Sequence, residues 1–181
     1  MRTKPTGPSF HRRTQAGTSL IEVVIALTIL LIVSVGIMGI ATVSMITTEN
    51  QGHLLARAAE YSQDKMEQLI SLSYGDGVSN TAVFPTASSG GTGLAVGGSS
   101  DPDAPAAGYG DYLDHSGNPL AIVGGAAPAN WYYIRVWQIS VPAGTTNLKQ
   151  ITVTSKVRYG VGNPGGALPR ATVTSLKTSP F

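Results

Sequence analysis

Residues able to do chemistry are sparse in this chain. Asp101, Asp103, Asp111 and Asp114 fall in one short stretch, where their oxygens could gather around calcium. Their spacing lacks the alternate-residue ligands and terminal glutamate of an EF-hand loop, and Asp beside Pro or Gly is ordinary turn chemistry. They are therefore weak calcium candidates, and no metal is expected. His53 and His115 each stand without a second His, a Cys or a suitably spaced acid, so both read as solvated side chains. The glycine-rich GGTGLAVGGSS lacks the Gly-Lys-Ser/Thr of a phosphate cradle, and no Gly-x-Ser-x-Gly elbow occurs. With no cysteine there is no thiol nucleophile, thiolate site or disulfide. No catalytic constellation remains, so neither enzymatic activity nor a cofactor is expected. One carboxylate is out of place: Glu22 stands at the head of an apolar run.

Stepping outward from Glu22, residues 1–17 carry Arg2, Lys4, Arg12 and Arg13 with no acid, and read as a basic leader. Val23 to Ile46 is a run of 24 residues without a charge. At about 1.5 Å per residue such a helix spans roughly 36 Å, enough to cross a hydrocarbon core of about 30 Å. Positive charge before the run places the N-terminus in the cytoplasm and everything after about Thr47 across the membrane. A secretory signal peptide has a shorter apolar region, about 7–15 residues, cut at its far end. A generic signal anchor explains the run but not Glu22, since an acidic residue costs on the order of 2.5–3.5 kcal/mol at the centre of a membrane helix.

The string Gly17-Thr18-Ser19-Leu20-Ile21-Glu22-Val23-Val24-Ile25-Ala26-Leu27 resembles the class III signal of type IV pilins and pseudopilins. Leader charge, the Gly, a Glu at that offset, an uncharged run of this length and a helical continuation all agree. The resemblance implies cleavage between Gly17 and Thr18 by prepilin peptidase, N-methylation of the new Thr18 amine, and pairing of Glu22 with the Thr18 amine of a neighbouring subunit. Burial of such a pair sets register more reliably than it adds stability. The chain departs from the major-pilin pattern in having Thr18 where Phe is common, and Gly36 and Gly39 where a proline often interrupts the run. These glycines are expected to allow a local melt or close helix packing.

Beyond the membrane run, residues 47–74 keep helical periodicity, with Leu55, Ala58, Ser62, Met66, Leu69 and Leu72 forming an apolar stripe. Arg57 with Glu60, and Asp64 with Gln68, are expected on solvated faces. Residues 85–130 are rich in Gly, Ala, Ser, Pro and Asp and read as one long loop. Strand-like alternation follows at 131–141, 150–159 and 171–178, with a short strand expected at 81–84. The expected fold is α+β: a long N-terminal helix packed on a C-terminal antiparallel sheet of three to four strands, with residues 75–181 forming the globular domain. Trp131, Tyr132, Tyr133 and Trp137 could stack single-stranded nucleic acid. Only Arg135, Lys149 and Lys156 supply charge nearby, and 12 Lys+Arg stand against 10 Asp+Glu, so core aromatics are the better reading and nucleic acid is not an expected partner.

The helix, loop and strand order is similar to the pilin architecture, and short patterns are most like a PilV-type minor pilin or a type II secretion pseudopilin I. The partners this implies are prepilin peptidase, other pilin or pseudopilin subunits and an inner-membrane assembly platform. The implied location is the inner membrane, with the C-terminal domain periplasmic, and then a filament. The reading from another class is a membrane-anchored binding or adhesive domain that does not polymerise.

Overall fold

The structure, a computed structural model, describes residues 19–160 and 167–180. The expected cleavage pair, Gly17 and Thr18, lies outside the described residues. Helix α1 runs Leu20–Ser71, and the chain divides into two compact units between Ser44 and Met45.

The first unit is the apolar half of α1, long and apolar enough to cross a membrane. Its large side chains, from Leu20 through Val43, are exposed in the single chain. The hydroxyls within it are satisfied locally. Thr28 Oγ1 donates to Val24 O at 2.8 Å, Ser34 Oγ to Leu30 O at 2.7 Å and Thr42 Oγ1 to Met38 O at 2.9 Å. Each hydroxyl thus enters an apolar medium without an orphaned donor.

The second unit packs the remaining turns of α1 on an antiparallel sheet. Its strands are β1 Gly97–Gly98, β2 Gly110–Leu113, β3 Pro119–Leu120, β4 Tyr133–Ser140, β5 Leu148–Val157 and β6 Arg170–Thr178. The order is β3-β2-β4-β5-β6, and β1 pairs with the C-terminal end of β4, at Gln138 and Ile139, on the edge that β2 occupies from Tyr133 to Val136. The three long strands lie where β-branched and aromatic alternation places them.

Two expectations are corrected. The sheet has six strands rather than three or four, because β1, β2 and β3 fall inside the expected loop 85–130. They are two to four residues long, and a Gly-Gly or Pro-Leu strand has no side-chain alternation to read. The strand expected at 81–84 is absent; a single bridge between Asn80 and Ala87 closes a turn there instead.

The stripe of α1 is also adjusted. Ala58, Ser62, Met66 and Leu69 are buried as expected and Leu72 packs against the core, but Leu54 enters the core while Leu55 stays exposed. Tyr61 and Lys65 join the buried face. Met66 and Leu69 pack with Trp137, Ile139, Ile151 and Val153, and Leu54 and Tyr61 with Leu113, Tyr133 and Val157. Each large side chain so buried contributes about 1.5–3 kcal/mol.

Candidate functional site

The helix that must present Glu22 begins with a cap. Ser19 precedes the first helical residue, and its Oγ and carbonyl oxygen both accept from Glu22 N, at 3.3 Å and 3.0 Å. Ser-x-x-Glu is the sequence signature of a capping box, and an acid in the first turn also favours the positive end of the helix dipole. The spacing is readable in Ser19-Leu20-Ile21-Glu22. The carboxylate is exposed and precedes 24 uncharged residues on the same helix. It therefore sits at the boundary of an apolar surface, where a cationic partner would relieve its desolvation.

Gly36 and Gly39 lie further along this surface, and the helix runs unbroken through both. A Cβ at either position would meet nothing within 4 Å. Among the described residues no contact requires glycine at either place.

The four aspartates do not converge. Among the described residues no group of three or more His, Cys, Asp or Glu side chains could hold a metal ion. Asp101 accepts from Asp103 N at 3.0 Å, Asp103 pairs with Lys156, and Asp114 closes a turn by accepting from Ser116 N, Asn118 N and Asn118 Nδ2. Hydrogen bonds from Asn118 hold the Asp114 carboxyl below its ordinary pKa. His115 lies within this turn, its Nε2 in contact with Ser116 Oγ at 3.1 Å.

Asp111 has a different setting. It is 4% exposed and held by two cations, Arg135 and Lys65. Lys65 Nζ lies 2.7 Å from Asp111 Oδ2, donates to Thr81 O at 2.5 Å and to Gln68 Oε1 at 3.2 Å, and sits 4.6 Å from the centre of the Trp137 ring. Arg135 reaches Asp64 as well, at 2.7 Å. Two cations and two carboxylates therefore join α1, β2, β4 and the turn around Thr81. Burial lowers the pKa of Lys65 further than Asp111 raises it. Burial would lower Arg135 too, but Asp111 and Asp64 together hold its guanidinium above the ordinary value.

Sequence reading placed Asp64 on a solvated face and Arg135 among charges near the aromatics. Asp64 does remain 57% exposed and accepts from Gln68 at 3.0 Å, but Arg135 is buried. The available signal was parity. Arg135 alternates with Tyr133 and Trp137, and Lys65 falls four residues after Tyr61, so both charges occupy inward positions.

The four aromatics do not form one surface, and Tyr132 packs against the inner cluster beside Tyr133. Tyr133 and Trp137 are buried against α1, with Tyr133 edge-on to Tyr61 at 4.9 Å. Trp131 and Tyr132 are half-buried. A nucleic-acid platform of all four rings is thereby excluded, since the inner two are covered.

No curated protein matches the chain, and no solved structure does. One family model matches, described as the prokaryotic N-terminal methylation motif, over residues 12–38. That span contains the Gly17–Thr18 junction, the Ser19 cap, Glu22 and the first part of the apolar helix. The chain carries at its N-terminus the class III signal of type IV pilins, the signal that prepilin peptidase processes.

Proposed function

We propose that the protein is a minor structural subunit of a type IV pilus or a related filament, cut after Gly17, methylated at Thr18 and assembled through its N-terminal helix. It is a substrate of enzymes rather than an enzyme. The methylation motif at residues 12–38, leading straight into a helix whose large apolar side chains from Leu20 through Ile40 are exposed in the single chain, carries this reading. Covering that surface with like helices removes it from lipid or water, and Glu22 at its head sets the register by meeting the Thr18 amine of a neighbour. The same features fit a type II secretion minor pseudopilin, which uses an identical signal. In either case the subunit begins in the inner membrane with its C-terminal domain periplasmic, and meets prepilin peptidase, an assembly platform and other subunits.

Substitution Glu22→Ala tests the assembly step. The reading expects normal insertion and processing with loss of the subunit from sheared filament fractions. Unchanged recovery in filaments, or a chain found only as an unassembled membrane protein in the parent strain, would favour an anchored binding domain.

A further inference from the structure

The face of the sheet turned away from α1 carries a groove of about 310 Å³ that the filament reading leaves unused. One cross-strand row, Tyr112, Ile134 and Lys156, contributes to its lining across β2, β4 and β5. Trp131 stands beside this row with its ring 5.6 Å from that of Tyr112, and the Arg158 guanidinium lies 4.8 Å from the Trp131 ring centre. The segment carrying Asp103, together with Val157 and Leu168, also lines it.

The polar groups here are unevenly spent. Lys156 is neutralised by Asp103. Arg158 has no acidic partner among the described residues, and its hydrogen bonds to Ala129 O and Trp131 O, at 2.8 Å and 3.3 Å, use Nη1 alone. Its Nε and Nη2, the Trp131 indole N–H and the Tyr112 hydroxyl make no hydrogen bond among the described residues. The groove thus offers two aromatic rings, a set of free donors and one uncompensated positive charge. An acidic sugar has the matching chemistry: an apolar C–H face for aromatic rings, ring and hydroxyl oxygens that accept, and a carboxylate for a guanidinium.

We propose that this groove binds an acidic saccharide, with a pyranose ring against Tyr112 and Trp131 and its carboxylate paired with Arg158. Single-stranded nucleic acid would also stack, but it needs a track of cations along its backbone; in the groove's lining Lys156 is spent on Asp103, and only Arg170, opposite Lys156 on β6, extends the charge beyond Arg158. The proposal does not depend on filament assembly.

The test is calorimetric titration of the full chain in detergent micelles with an oligosaccharide of alternating glucuronic acid and N-acetylglucosamine. The same oligosaccharide with its carboxylates reduced to alcohols, and a short oligothymidylate, serve as competing probes. Saturable binding of the acidic sugar is expected, weakened at least tenfold by carboxylate reduction, by Arg158→Gln and by Tyr112→Ala. If Arg158→Gln does not fold, Tyr112→Ala and the carboxylate-reduced sugar decide, since the first trims a half-exposed ring and the second leaves the protein unchanged. Absence of saturable binding, equal affinity for the reduced sugar, affinity unchanged by the variants, or tighter binding of the oligothymidylate would each overturn the proposal.

Discussion

Arg135 grips Asp111 through two parallel hydrogen bonds, Nε to Oδ1 at 2.7 Å and Nη2 to Oδ2 at 2.8 Å, from directly opposed positions on neighbouring strands. The pair is buried, and Lys65 binds the same carboxylate from the helix side. Geometry of this kind fixes how the helix sits on the sheet, because a shift along either would leave a charge in the core without a partner.

Arg135→Met removes one cation and leaves Lys65 alone with Asp111. Breaking a buried pair in this way costs about 3–5 kcal/mol. Replacing Lys65, Asp111 and Arg135 together by apolar residues of similar volume should cost far less, because no buried charge is stranded. Denaturant unfolding of the two variants beside the parent measures the difference. Equal losses would show that packing, rather than charge pairing, dominates at this position.

The pH dependence of stability should carry the mark of Lys65. Burial places its folded-state pKa below the ordinary 10.5, so in the window between the two values the unfolded chain binds more protons. The contribution of Lys65 to stability therefore rises with pH through that window and levels off above 10.5. Lys65→Met should lack this rise. The check is a series of unfolding curves across the alkaline range, compared between parent and variant, and identical slopes would contradict the assignment.

Glycines in the two units should respond oppositely to alanine. A Cβ on Gly91 would collide with the backbone of Ser79 and Asn80, where Gly91 N donates to Val78 O at 3.0 Å. Gly91→Ala should therefore destabilise by about 1–3 kcal/mol. At Gly36 nothing lies within 4 Å, and alanine raises helix propensity by about 1 kcal/mol. Gly36→Ala should leave the fold intact, and any loss it causes should appear in filament recovery. Thermal melting and filament yield separate the two effects.

Legibility in the sequence followed the length and regularity of each signal. The helix from Leu20, the strands β4 to β6 and the methylation motif all rest on long, regular patterns and were readable. Gly97–Gly98 and Pro119–Leu120 are strands only because β4 and β2 present them with free backbone groups, which no local pattern records. Lys65 reads as a surface charge by type and as core by position, and its meaning appears only when Asp111, from a segment read as loop, arrives beside it. The Ser19 cap lay in plain view, within the very residues that identified the signal.

The central claim is that the chain is cut after Gly17 and methylated at Thr18. Intact mass of the membrane-extracted protein from its own host, with N-terminal sequencing of the same sample, tests this directly. The account predicts a mass lacking residues 1–17 and carrying one added methyl group, with sequence beginning at Thr18. A mass that retains the leader would contradict it, and would leave Glu22 on an ordinary anchored helix with no amine to meet.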